Sequence, residues 1–83
     1  MRVFKLSLEQ KDFLQKEYSD NSLVNRVLSC EENGVFKIDI DTKIDFMDFI
    51  EDEAICWMDS NHEATSKTIM LESIRDDIYY QTN

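Results

Sequence analysis

A chain of 83 residues has room for a single hydrophobic core, so we expect one small domain spanning residues 1–83. Its formal net charge of −9 disfavours direct binding to nucleic acids, and its longest apolar run, residues 54–58, is far too short to cross a membrane. Five Phe, three Tyr and one Trp argue against disorder, whereas a single Gly and the absence of Pro favour helices joined by short turns.

Two stretches of the chain are nearly alike, since residues 3–11 read VFKLSLEQK and residues 35–43 read VFKIDIDTK. Apolar and polar residues alternate in both, which predicts two strands that each have one apolar face. The predicted apolar faces are Phe4, Leu6 and Leu8 in the first strand and Phe36, Ile38 and Ile40 in the second. The likeness continues as Asp12-Phe13 against Asp45-Phe46 if one residue is inserted, and it is compatible with either internal duplication or coincidence.

The first half of the chain carries signals for two helices after its strand. Ser7-Leu8-Glu9-Gln10 is a capping box and predicts a helix that runs to about Tyr18. Asp20-Asn21 is expected to cap a second helix, and Asn33-Gly34 to end it as a left-handed C-terminal cap. The expected buried side of this second helix is Leu23, Val24, Val27 and Leu28.

The second half is predicted to repeat this order. Asp41 or Thr42 is expected to cap a long helix through about Met58, and the capping box Ser60-Asn61-His62-Glu63 to open a last helix toward Tyr80. The long helix is expected to bury Phe46, Met47, Ile50, Ala54, Trp57 and Met58. The predicted fold is therefore α+β and helix-dominant, in the order β-α-α-β-α-α, with two short paired strands of open relative direction covered by four helices.

Residues 37–48 resemble the calcium-binding loop of the EF-hand family. Acids occupy the third, fifth, ninth and twelfth positions, and Ile44 stands at the eighth. However, Lys37 stands where the first ligand should be and Thr42 where the loop needs glycine. Because a cation at a ligand position repels the ion, we expect no calcium binding.

The remaining chemistry-bearing residues predict neither a metal site nor an active site. Cys30, Cys56 and His62 lack the paired short spacings of zinc ligands, and the two cysteines are expected to be small core residues. A catalytic triad would have to use His62, which lies in the predicted capping box without a glycine-rich nucleophile turn nearby. We therefore expect a protein that is not an enzyme and that needs no cofactor and no metal.

Acidic residues are concentrated in the second half, because residues 1–30 have a net charge of +1 and residues 31–83 a net charge of −10. At 100° per residue, many of these acids fall within a wedge of about 60° if the long helix continues to residue 63. This predicted acidic stripe comprises Asp41, Asp45, Asp48, Asp52, Asp59 and Glu63, with Glu51 and Glu53 beside it. Two interpretations stay open: a solvated helix face, or a docking face for a basic partner.

Tyr79 and Tyr80 near the end of the last helix are the other candidate contact residues. Tyrosine is favoured at protein interfaces, and both residues lie off the centre of the predicted buried stripe of that helix. The edge of the core and an aromatic contact patch are equally compatible with this position.

The sequence as a whole favours a small acidic protein-binding module. We expect an inhibitor or regulator of the antitoxin, immunity-protein or phage-regulator kind, whose partner is a basic protein, for example one that binds nucleic acids. The alternative is a structural or assembly protein that acts through homo-oligomerisation, with a homodimer as the simplest form. Few cysteines indicate a cytoplasmic location, and a composition poor in Ala, Gly and Pro is typical of AT-rich bacterial or phage genomes.

Overall fold

Four helices and a small antiparallel sheet make up the fold in a computed structural model that describes residues 1–82. The elements are β1 (Arg2–Phe4), α1 (Leu8–Glu17), α2 (Ser22–Leu28), β2 (Glu31–Glu32), β3 (Val35–Ile38), α3 (Ile40–Cys56) and α4 (Ser66–Thr82). The predicted helix-dominant α+β class is confirmed. A third strand, β2, adds to the two that the sequence pattern predicts.

The direction of the two predicted strands, which the sequence left open, is antiparallel. β3 is the central strand in the order β1-β3-β2, and both of its neighbours run against it. Phe4 lies directly opposite Phe36 in this register, and their rings stack with centroids 5.2 Å apart. Because both rings are almost completely buried, this pair joins the sheet to the helices at the centre of the core.

Asn33-Gly34 does not end a helix, so the prediction of a C-terminal cap there is wrong. This wrong assignment is also the reason why strand β2 was missed. α2 ends at Leu28, and Asn33-Gly34 instead forms the two-residue connection between β2 and β3. Both residues have positive φ, 54° for Asn33 and 80° for Gly34. That pair of angles is typical of the tight hairpin turns for which an Asn-Gly sequence is the strongest short signal.

Helix starts agree with the sequence in two cases and differ in two. Asn21 caps α2 as predicted, since its side chain accepts a hydrogen bond from the Val24 N–H at 3.0 Å. Ser7 forms the predicted capping box with Gln10, and α1 follows it. α3 is preceded by Asp39 at the N-cap, two or three positions before the predicted caps. Consequently Leu8 and Ile40, predicted to extend the apolar strand faces, are the first residues of helices and are exposed.

The start of α4 at Ser66 also differs, since it lies six residues beyond Ser60, where the predicted capping box begins. Asp59 closes a loop there, since its carboxylate accepts hydrogen bonds from the backbone N–H groups of Asn61 and Glu63 at 2.8 and 3.0 Å. His62 has a φ of 61°, which a helix does not allow. Thr65 takes over the capping role, because its hydroxyl accepts from the Thr68 N–H at 3.3 Å.

The core is formed by side chains from all four helices, β1 and β3, and the loop between β1 and α1. α3 and α4 pack against each other along their lengths, and α4 also covers β1. Of the residues that α3 was predicted to bury, Phe46, Ile50 and Ala54 are buried, whereas Met47, Trp57 and Met58 are half-buried. α3 therefore has one face fixed in the core and an opposite face that no other described element covers.

Candidate functional site

The outer face of α3 is the candidate site. Helical periodicity places five of the six acids of this helix opposite its buried residues, and the structure leaves these five exposed to solvent. We define the acidic face by its five exposed carboxylates, Asp41, Asp45, Asp48, Glu51 and Asp52. Glu53 is only half-exposed and turns toward Tyr18 on the other side.

Two members of the predicted stripe do not belong to this helix. α3 ends at Cys56, so the assumption of a helix continuous to residue 63 is wrong. Asp59 and Glu63 are exposed, but both lie in the loop between α3 and α4, where Asp59 is engaged in the hydrogen bonds that shape the loop. The candidate site is therefore shorter than the sequence pattern predicts.

The ion pairs among residues 1–82 lie away from the acidic face. Lys11 binds Glu31 at 2.8 Å and Lys67 binds Glu17 at 3.1 Å, so these pairs tie α1 to β2 and to α4. Arg75 pairs within α4, with Glu72 and Asp76. Within residues 1–82, no ion pair involves any carboxylate of the acidic face. Lys43, the single cation in the sequence of α3, is buried on the inner side.

One edge of the acidic face borders α2. A shallow groove of about 390 Å³ lies there, lined by Ser22, Leu23, Arg26 and Asp45. Arg26 donates a hydrogen bond to the Thr42 hydroxyl at 3.2 Å. Near the same helix end, interaction with the Thr42 side chain is the main cause that holds the pKa of Asp39 below its ordinary value. This edge combines both signs of charge, because Arg26 and Asp45 line the same groove.

Sequence reasoning missed the apolar part of the same face. Ile44 is 51 % exposed and lies between the carboxylates on the outer side of α3, whereas Ile55 is 64 % exposed and lies three residues beyond Asp52. Ile40, at the first position of the helix, is 51 % exposed as well. The helical spacing of these residues relative to Asp48 and Glu51 was a signal in the sequence that could have placed them on the outer face.

Tyr79 and Tyr80 are both exposed and contact each other edge to face, with ring centroids 6.2 Å apart. They lie in the last two turns of α4, outside the acidic face. Tyr80 is 81 % exposed, so it is a surface residue and not the edge of the core.

A second apolar surface lies between α1 and α4. A groove of about 540 Å³ is lined there by Leu8, Phe13 and Met70, with Glu9, Asp12 and Lys16 also on its walls. Leu8 is 70 % exposed, which makes it one of the most exposed large apolar side chains of the protein. This groove and the acidic face are two surfaces where another molecule has apolar groups to bury.

Residues suggestive of metal binding are not brought together by the fold. The segment that resembles a calcium loop spans the end of β3 and the first turns of α3, and so lacks the looped backbone that such a site requires. Within residues 1–82, no group of three or more His, Cys, Asp and Glu side chains could hold a metal ion. Cys30 is half-buried, and the prediction that Cys56 is a core residue is wrong because its side chain is exposed.

None of the helices described in residues 1–82 combines the length and apolar character needed to cross a membrane. Comparisons with protein-family models, with curated proteins and with solved structures gave no match.

Proposed function

We propose that this protein is a small acidic protein-binding module, which docks the acidic face of α3 on a basic surface of a partner protein. The observation that carries the proposal is the concentration of five exposed carboxylates on one face of α3. None of these five has an ion pair within residues 1–82, where the ion pairs join Lys11, Lys67 and Arg75 to acids elsewhere. A row of like charges costs helix stability, and a basic partner would relieve that cost.

The electrostatics of such a face suit recognition. Carboxylates on successive helical turns create a negative potential that speeds the approach of a basic protein. Once in contact, each carboxylate can accept charge-assisted hydrogen bonds from Lys or Arg, and Arg can bind it in a bidentate manner. The acidic face from Asp41 to Asp52 extends over about 16 Å at the helical rise per residue.

A basic partner of this kind is typically a protein that binds nucleic acids, because such proteins expose rows of Lys and Arg. Occupation of that row by the acidic face would exclude the nucleic acid. Such a protein would be an inhibitor or regulator of the antitoxin, immunity-protein or phage-regulator kind, of bacterial or phage origin and acting in the cytoplasm.

The test is a capture experiment with matched charge variants. The first variant removes three charges from the acidic face, as Asp45→Asn, Asp48→Asn and Asp52→Asn. The control removes three exposed charges elsewhere, as Asp12→Asn, Asp20→Asn and Glu32→Gln. Both variants have the same net charge, so a difference between them reports the position of the charge and not its amount.

We expect tagged wild-type protein to retain a basic protein from bacterial lysate at low salt and to lose it at high salt, because exposed charges are screened. The control should retain the same protein, and the acidic-face variant should lose most of it. Equal retention by the two variants would contradict the proposal.

The alternative function, assembly through homo-oligomerisation, is favoured by the apolar groove between α1 and α4. Leu8, Phe13 and Met70 offer a surface that a second copy could bury. Light scattering at low and high salt distinguishes the two functions. An oligomer that is insensitive to salt supports assembly, and its loss in a Leu8→Ser variant would locate the contact, whereas a monomer at both salt concentrations argues against assembly.

A further inference from the structure

The outer face of α3 contains more than charge. Its exposed residues include a line with the alternating spacing of three and four residues by which one helix meets another. That line is Asp41, Ile44, Asp48, Glu51 and Ile55. An isoleucine therefore stands near each end of the line, with carboxylates between them and beside them.

The two isoleucines need an explanation that solvation of the helix does not supply. Ile44 and Ile55 are more than half exposed although the same helix buries Phe46, Ile50 and Ala54 on its inner side. Polar residues at positions 44 and 55 would leave the core of the protein unchanged. As they stand, both side chains keep apolar surface in water on the outer side of α3.

We propose that the acidic face of α3 receives a basic amphipathic helix of the partner, with Ile44 and Ile55 buried against its apolar stripe. This inference rests on the proposed function and specifies the chemistry of the partner. The 3–4 spacing matches the spacing at which a second helix presents side chains along one side. The carboxylates beside the isoleucines match lysines and arginines that border the apolar stripe.

Two features of the structure favour this partner over a flat basic surface. Purely electrostatic docking has no use for exposed isoleucines, since an ammonium or guanidinium group needs only the carboxylates. In addition, α3 is 17 residues long and is uncovered on this side, so a partner helix of similar length can lie along it.

The experiment uses two synthetic peptides of identical composition, each of about 18 residues, long enough to span α3 as a helix. Both consist of Lys and Leu; in one, leucines follow the 3–4 spacing, and in the other the order is scrambled so that no apolar stripe forms. Binding is measured by titration calorimetry at low salt with the full chain. Far-ultraviolet circular dichroism of each protein variant verifies that it is folded.

The protein variants separate the isoleucines from other exposed apolar residues. The first variant is Ile44→Ser with Ile55→Ser. Its matched control is Leu8→Ser with Ile69→Ser, two residues that are 70 % and 59 % exposed on α1 and α4. The variant Asp45→Asn, Asp48→Asn, Asp52→Asn completes the set.

We expect the amphipathic peptide to bind wild-type protein about tenfold more tightly than the scrambled peptide. The isoleucine variant should lose most of that preference, the control should keep it, and the asparagine variant should bind both peptides weakly. Equal affinity for both peptides would contradict the inference and leave electrostatic docking intact. A preference that survives in the isoleucine variant but disappears in the Leu8/Ile69 control would assign the peptide to the groove between α1 and α4. Failure of both peptides to bind wild-type protein would contradict the inference and the proposed function together.

Discussion

Two strand–helix units of this protein, β1 with α1 and β3 with α3, bury residues at equivalent positions. Their exposed surfaces, however, differ in charge. A constant offset of 32 residues relates the two units, without the insertion that the sequence alignment required. The pairs of buried residues at this offset are Phe4 and Phe36, Leu6 and Ile38, Gln10 and Thr42, Leu14 and Phe46, and Tyr18 and Ile50. Ser7 and Asp39, the N-cap residues, are also related by it.

The outsides of the two units differ in charge and in how it is compensated. α1 has a net charge of −1, and ion pairs connect Lys11 to β2 and Glu17 to α4. α3 has a net charge of −5, and its exposed carboxylates remain without ion pairs within residues 1–82. Because equivalent internal packing is achieved with a nearly neutral helix in the first unit, we expect that the fold does not require the acids of α3.

The largest expected effect comes from the stacked pair at the centre of both units. Phe4→Ala and Phe36→Ala should each lower the free energy of unfolding by about 3–5 kcal/mol, because each leaves a cavity in a closely packed core. Val3→Ala, on the exposed side of β1, should change it by less than about 1 kcal/mol. Urea unfolding followed by circular dichroism measures all three. If the two phenylalanine variants differed widely, the units would not contribute equally to the core.

The equivalent buried polar residues Gln10 and Thr42 are expected to differ. The Gln10 side chain accepts from the Ser7 N–H at 2.9 Å and donates to Asp77 at 2.8 Å, whereas the Thr42 hydroxyl accepts from Arg26 at 3.2 Å. Gln10→Ala should therefore cost about 2 kcal/mol and Thr42→Ala about 1 kcal/mol or less.

Gln15→Ala is the matched control for this comparison, since Gln15 is exposed on the same helix as Gln10. Alanine has the highest helix propensity, so this change should leave the free energy of unfolding equal or slightly higher. Equal losses at Gln10 and Gln15 would mean that the capping box contributes nothing measurable.

Tyr18 and Ile50 occupy equivalent buried positions, but only Tyr18 titrates. Burial is the main cause that raises the pKa of Tyr18 to about 12 from its ordinary value of 10.0, and Trp57 donates a hydrogen bond to its hydroxyl at 3.0 Å. At pH 7, Tyr18→Phe should cost about 1 kcal/mol because the Trp57 N–H loses its partner.

The pH dependence of this variant follows from the direction of the pKa shift. The unfolded chain loses the Tyr18 proton near pH 10 and the folded chain only near pH 12, so the wild type loses stability as pH rises through this window. Two pKa units correspond to at most about 2.7 kcal/mol, and the phenylalanine variant lacks this loss. The stability difference between wild type and variant should therefore shrink or reverse between pH 10 and 12. An unchanged stability difference across this window would contradict the prediction.

How far the sequence predicts this structure depends on whether the signals are local. The capping box at Ser7 and the helical periodicity of α3 specified α1 and the acidic outer face, because both act within a few residues of the chain. By contrast, Asn33-Gly34 is compatible with a helix end and with a hairpin, and only the pairing of Glu31-Glu32 with β3 decides between them. Two consecutive glutamates do not resemble a strand, so the hairpin was missed.

The end of the acidic stripe was mispredicted for a related reason. Ser60–Glu63 satisfies the sequence requirements of a capping box, but Asp59 provides a competing carboxylate one residue earlier and accepts hydrogen bonds from the backbone of the same segment. The helical spacing of the acidic residues continues in the sequence to Glu63, whereas the helix itself ends at Cys56. The exposure of Ile44 and Ile55 was not predicted, because the pattern of charges alone does not include them. Their helical spacing relative to the acids does place them on the outer face.

The smallest expected effect comes from removing charges on the acidic face of α3. Asp45→Asn, Asp48→Asn and Asp52→Asn remove repulsion between carboxylates three and four residues apart on α3, each pair of which costs a few tenths of a kcal/mol. We expect the free energy of unfolding to rise by about 0.5–1 kcal/mol at low salt and the gain to shrink at high salt, where the repulsion is already screened. The control Asp12→Asn, Asp20→Asn, Glu32→Gln should gain less, since its residues lie on three separate segments. An acidic-face variant that is less stable than wild type would mean that the fold itself uses these carboxylates. A gain would show that they are kept at the expense of stability, as a binding face requires.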